Sequence, residues 1–196
     1  ILITHAKKLE DEFVAKGYGK IRSDLMYNDF VLIGPSSDPA KISTSVRADE
    51  AFSKIYEYMP IFVSRGDKSG THLSELSIWK MTKNAKPNSS IHQWYLETGQ
   101  GMGATLNVTV GMNAYTYTDR ATWLKFKNKQ NHKILFDNDN SMINQYGIVL
   151  IDNQHCRNIN HKEANLFYEW ITSHDGQQHI SNYKVNNQTL FYPNYK

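Results

Sequence analysis

The chain has 196 residues, 40% hydrophobic and 12% aromatic, which suits one large domain or two small lobes with a substantial core. Its net charge of +3 is not gathered into a run, so neither nucleic acid nor an anionic membrane surface is implied as a partner. A single cysteine, Cys156, excludes an internal disulfide and a cysteine metal cluster, and no stretch approaches the ~20 apolar residues of a membrane span.

Ile1 to Ile3 read as a buried strand already in progress, so residues are expected to precede them. Thr4-His5 turn into a polar helical stretch over 7–16. The run from Asn28 to Ile33 is a strand stopped by Gly34-Pro35. Ala51, Phe52, Ile55 and Tyr56 give helical spacing over 47–59. A short apolar strand, Pro60 to Val63, feeds a polar loop and then a helix through about Lys83, with Leu73, Leu76 and Trp79 expected on one face. Asn84 to Ser90 is loop. Gly99, Gly101 and Gly103 mark either a turn between helices or a close approach to a ligand. A helix over 104–112, a strand ending at Thr118-Asp119-Arg120, a short helix over 121–127 and strands at 133–136 and 146–151 follow. The last clear helix, 161–173, places Ala164, Phe167, Trp170 and Ile171 on one side, and the tail holds a short helix and aromatic packing residues. Strands alternating with helices make this an α/β chain.

The stretch Ser64-Arg65-Gly66-Asp67-Lys68-Ser69-Gly70-Thr71-His72 carries the chemistry. The first turn of a helix leaves amide N–H groups without partners, at the positive end of the helix dipole. Gly70 lets the backbone approach a ligand, Ser69 and Thr71 add hydroxyls, and Arg65 adds a planar fork of charged donors. Strand, loop and helix together suit an oxyanion. Ser69, Thr71 or Asp67 equally serve as ordinary helix caps. The spacing is not that of a Walker A loop: three residues, not four, separate Gly66 from Gly70, and no lysine follows Gly70.

Further candidates are Thr4 and His5, at the end of a strand, and Arg120, whose alternative is a surface turn with Asp119. His72 reads equally as a packed helix residue. His174 and His179 lack zinc spacing; His155-Cys156 and His161 could lie close, but no metal site is expected there, and no Ser/His/Asp order or carboxylate pair recommends catalysis.

With these residues in hand, the chain resembles the solute-binding proteins of tungstate ABC transporters. The resemblance rests on Ile-Thr-His at 3–5, Tyr-Asn-Asp-Phe-Val with Gly34-Pro35 at 27–35, and the 64–72 loop. Trp94-Tyr95, the 99–103 glycine run, Ala114-Tyr115-Thr116 and Thr118-Asp119-Arg120 complete it. It implies a periplasmic binding protein-like fold of type II, with two α/β lobes joined by two crossover strands and the first lobe truncated at its N-terminus. Lobe 1 would take 1–32 and 149–196, lobe 2 would take 33–148, and the ligand would sit in a cleft between them. The family begins some fifty residues earlier, with a Thr/Ser-rich loop that this sequence lacks.

The resemblance also implies a function: capture of tungstate, with molybdate as a second ligand, for a membrane permease. Arg65, Ser69, Gly70 and Thr71 would be the contacts. No cofactor, no catalysis, a monomer and an extracytoplasmic location go with it. Tungstate carries no proton near neutral pH and only accepts hydrogen bonds, so donors should line the site. Asp67 should orient Arg65 or cap the helix; facing the anion it would favour phosphate. The alternatives are an anion-sensing regulatory domain of the same fold, a phosphate- or sulfate-binding protein, and an enzyme acting on a phosphate ester.

Overall fold

A computed structural model describes residues 1–156, 158–185 and 187–196. In chain order the elements are β1 (Leu2–Thr4), α1 (Lys7–Ala15), β2 (Gly19–Pro35), α2 (Ala48–Tyr58), β3 (Phe62–Ser64), α3 (Gly70–Met81), β4 (Tyr95–Glu97) and α4 (Met102–Gly111). They continue with β5 (Tyr115–Asp119), α5 (Arg120–Lys125), β6 (His132–Phe136), β7 (Ile143–Ile151), α6 (His161–Thr172) and α7 (His174–Asn182). The short strands β8 (Lys184–Val185), β9 (Gln188–Thr189) and β10 (Tyr192–Pro193) close the chain. The residues fall into two compact units, Ile1–Asn28 with Asn144–Lys196, and Asp29–Ile143.

The second unit is built on a mixed sheet in the order β6-β2-β5-β3-β4. β3 runs parallel to both β4 and β5, while β2 is antiparallel to β5 and β6. Side chains alternate across a strand, and here both faces are covered. Phe30 and Leu32 join one cluster, with Phe52, Ile55, Phe62, Trp79 and Tyr95 from α2, β3, α3 and β4. Val31 and Ile33 point the other way and join Met102, Leu106 and Trp123 from α4 and α5. That is why the sequence reads as an unbroken apolar run from Phe30 to Ile33. The rings of Phe52, Phe62, Trp79 and Tyr95 meet one another at 4.7–6.3 Å between centroids. Such contacts add to the burial of these large side chains.

In the first unit β7 lies between β1 and β2, and β10 pairs with β2. Leu25, Ile148 and Ile171 form the buried centre. In this unit the Arg22 Nε donates to Glu10 Oε2 at 3.0 Å, with Glu10 buried and the Arg22 side chain 9% exposed, and the guanidinium also pairs with Asp24. Gly147 of β7 lies flush on this pair: a Cβ there would overlap Glu10 Oε2 and sit 2.8 Å from Arg22 Nε. Breaking a buried pair leaves an uncompensated charge, so Gly147→Ala is expected to cost about 3 kcal/mol or more. A thermal melt reads this directly, and a loss under about 1 kcal/mol would show that the pair can move aside.

The structure departs from the expected elements in four places. β1 forms, but Leu2 and Ile3 are exposed where a buried strand was expected. β2 begins at Gly19, nine residues before the expected strand. Lys20 to Asp24 are exposed or half-buried, with Arg22 and Asp24 held by ion pairs, so the stretch has no apolar periodicity. On α3 the inward face is Thr71, His72, Glu75, Ile78 and Trp79, and Leu73 is 57% exposed. Glu75 finds hydrogen-bond partners on β3 and β4, and His72 one in the preceding loop, which periodicity cannot register. On α6, Phe167 and Trp170 are exposed and lean on each other, while Ile171 is buried.

Candidate functional site

The loop after β3 is shaped by its own polar groups. Gly66 and Lys68 both take left-handed backbone, at φ +62° and +61°. Asp67 Oδ1 accepts the Ser69 amide at 3.1 Å, and its other oxygen pairs with Arg65 Nη2. His72 Nδ1 accepts the Lys68 amide at 3.0 Å, which places the ring proton on Nε2. Ser69 caps α3, with its Oγ 3.5 Å from the His72 amide. The first intrahelical bond runs from the Leu73 amide to the Ser69 carbonyl at 2.8 Å. The amides of Gly70 and Thr71 lie ahead of it, where a helix has no acceptor of its own to offer.

Gly66 is fixed twice, by its positive φ and by packing, since a Cβ would meet Glu97 Cβ at 2.7 Å. Gly66→Ala is expected to cost about 1–3 kcal/mol and to move the Arg65 backbone with it. Melting temperature and oxyanion affinity should fall together; an unchanged melt would show that the loop tolerates a side chain.

The neighbouring connection meets this loop. The Thr98 amide donates to the Ser64 carbonyl at 3.1 Å, and the Gly99 amide to the Arg65 carbonyl at 2.8 Å. Thr98 Oγ1 and Thr105 Oγ1 are 2.9 Å apart. α4 then starts at Gly101 without a side-chain cap, and a Cβ at Gly99, Gly101 or Gly103 would meet nothing within 4 Å. β3, β4 and β5 are parallel, so α3, α4 and α5 all begin at the same edge of the sheet. The α5 end is taken up by the Asp119 carboxylate, which accepts the Thr122 amide at 2.8 Å, and the positive ends of α3 and α4 at the carboxyl edge of parallel strands suit an anion.

The charges agree. Arg65 Nε is buried without a hydrogen-bond partner among the described residues, so donor capacity is left over after the pair with Asp67. Burial works to raise the Asp67 carboxyl, but the bonds from Ser69 and Arg65 outweigh it and hold it below the ordinary value. Burial is also the main reason that the His72 imidazole sits below its ordinary value. The loop therefore offers donors, an ionised carboxylate already engaged through both oxygens, and a neutral histidine.

A family model described as the PBP superfamily domain matches residues 1–175. The tungstate-binding protein TupA of Peptoclostridium acidaminophilum is 39% identical over 198 residues, covering 99% of this chain and 68% of that protein. The chain belongs to this family of solute-binding proteins. TupA of Campylobacter jejuni is 35% identical, over 97% of this chain and 71% of its own length. The solved structure of the TupA tungstate-binding protein of Desulfovibrio alaskensis G20 superposes with a TM-score of 0.91 at 39% identity, over 100% of this chain and 78% of that one. The chain spans 57–71% of the length of the curated relatives it matches. The periplasmic-binding-protein-like α/β fold is thus established.

Within this family fold, Arg65, Ser69, Gly70 and Thr71 come together on one loop and helix start. Arg120 begins α5 at the neighbouring strand end, with Nε and Nη2 committed to Asp29 and Nη2 also to Asp137 at 2.8 Å. Thr4 and His5 belong to the other unit. There the Thr4 hydroxyl donates to Glu10 Oε1 at 2.6 Å, and the exposed His5 ring lies 5.1 Å from that of Tyr146. Among the described residues no group of three His, Cys, Asp or Glu could hold a metal ion, and no helix is long and apolar enough to cross a membrane.

Sequence reasoning missed Glu75. Its carboxyl is buried in the second turn of α3. Oε1 accepts from Trp79 Nε1 at 3.0 Å and Tyr95 Oη at 2.8 Å, and Oε2 accepts from Ser64 Oγ at 2.6 Å. Burial pushes it up to about 7 against the pull of these donors. A glutamate on a helix ordinarily reads as solvent face. The one local signal is Trp79, one helical turn on from Glu75.

Proposed function

We propose that this chain is the oxyanion-capturing component of an ABC transporter. It takes tungstate, with molybdate as second ligand, at the start of α3 and hands it to the membrane permease. Capture is outside the cytoplasmic membrane. Family membership supports the solute-binding role and gives no support to catalysis. The observation that carries the ligand reading is the set of donors on one loop and helix start: the first-turn amides of Gly70 and Thr71, and an Arg65 Nε with no partner among the described residues.

The engaged state of Asp67 separates the oxyanions. A protonated phosphate is best met by a carboxylate acceptor, and both oxygens of Asp67 are already occupied. A proton-free dianion needs donors only. The names of the relatives point the same way. Each charge-assisted bond contributes about 1.5–3 kcal/mol, so several together support micromolar affinity or better.

Calorimetry with tungstate, molybdate, sulfate and phosphate tests this. Tungstate and molybdate should bind at least about 100-fold more tightly than phosphate, a gap of roughly 2.7 kcal/mol. Tighter binding of phosphate, or no heat with any of the four, would overturn the assignment.

A further inference from the structure

Behind the anion loop, Glu75 reaches the loop backbone through one hydroxyl. Ser64, the last residue of β3, gives its proton to Glu75 Oε2 and accepts the Gly66 amide at 3.3 Å. Glu75 itself is 1% exposed and touches no open space.

Its partners fix where a proton can reside. Trp79 Nε1–H can only donate, so Oε1 is an acceptor in every state. Oε2 faces a hydroxyl, which can donate or accept. An ionised Glu75 therefore receives the Ser64 proton, and a neutral one donates from Oε2 to Ser64 Oγ. In the neutral form the Ser64 hydroxyl turns its own proton to Tyr95 Oη, which also bonds with it, so the pocket satisfies both forms. Facing Glu75 are Tyr95 and Glu97 from β4 and Tyr117 from β5, and on the loop side lie Arg65, Asp67 and His72. Glu97 disfavours a second negative charge. A dianion seated at Gly70 and Thr71 would disfavour it further.

We propose that Glu75 positions the anion loop through Ser64 and takes up a proton on Oε2 when the anion binds. This rests on the reading of the loop as the oxyanion site. The proton comes from bulk buffer, and no bond to the ligand is made or broken by Glu75. Linkage is reciprocal, so an anion that draws in a proton binds more tightly where protons are plentiful. With the Glu75 carboxyl at about 7 before binding, the effect falls from near neutrality upward.

The test is calorimetry of sodium tungstate in buffers of different ionisation heat, near pH 7.5, where tungstate has no proton of its own to exchange. The slope of observed enthalpy against buffer heat counts protons. The wild-type protein should take up between about 0.3 and 1 proton, and its affinity should fall about three- to tenfold from pH 6.5 to 8.5. Glu75→Gln keeps the neutral form's bonding pattern and should bind without uptake and without that fall. Ser64→Ala removes a donor from Oε2 and the acceptor for Gly66. It should therefore lose uptake as well and bind about tenfold more weakly. Wild-type binding with zero slope overturns the proposal alone. So does an undiminished slope in Glu75→Gln that disappears in His72→Gln. Absence of wild-type binding heat overturns the loop reading and the proposal together.

Discussion

Replacing Arg65 with alanine is expected to weaken tungstate binding by at least about 100-fold and up to about 10,000-fold, because two charge-assisted bonds of about 1.5–3 kcal/mol each are lost. The effect has a second source in this loop. Asp67 holds its charge partly through Arg65, and without the guanidinium that carboxylate stands beside the incoming dianion unopposed. An Arg65→Ala, Asp67→Asn double variant should therefore recover part of the loss, by about fivefold or more. Arg65→Lys restores the charge without the planar fork and should remain about tenfold weaker than wild type. Calorimetry against tungstate reads all three. Binding by Arg65→Ala within about threefold of wild type would remove this loop from the site.

The candidate loop was legible because its information is local. A short apolar strand, a left-handed glycine and a serine cap followed by Gly-Thr lie within eleven residues, and each acts on its immediate neighbours. Glu75 was not legible for the opposite reason. Two of its three partners, Ser64 and Tyr95, lie 11 and 20 residues away, and only the pairing of β3 with β4 brings them together. The same long-range satisfaction buries Glu75 on α3 while Leu73 stays exposed, against a simple apolar period; His72 is buried with a local partner, the Lys68 amide. The front half of β2 was lost for a third reason: its alternation is carried by charged residues whose partners, such as Glu10, are invisible to hydropathy. The glycine run stands between these cases. Gly99 needs its φ of +64°, whereas neither positive φ nor a close neighbour demands glycine at 101 or 103.

Glu75 also makes the stability of the ligand-free protein depend on pH, and the sign can be worked out. In the fold its carboxyl sits at about 7, against an ordinary value of 4.5, so the folded state holds its proton more firmly than the unfolded chain does. Below 4.5 the residue is neutral in both states and the fold carries no penalty. Between 4.5 and 7 the unfolded chain ionises first, and stability falls steadily as pH rises. Above 7 the penalty is complete, at about 3 kcal/mol. Glutamine at this position keeps the acceptor for Trp79 and Tyr95 and a donor for Ser64, and has no charge to acquire. The melting temperature of Glu75→Gln should therefore gain on wild type by roughly 5–10 °C between pH 5 and pH 8. Asp38, Asp67 and Asp139 all sit below their ordinary values and lose stability as pH falls, but they act alike in both proteins and cancel in the difference. A difference in melting temperature that stays flat from pH 5 to pH 8 would mean that the buried carboxyl is not strained in the fold, whatever binds in front of it.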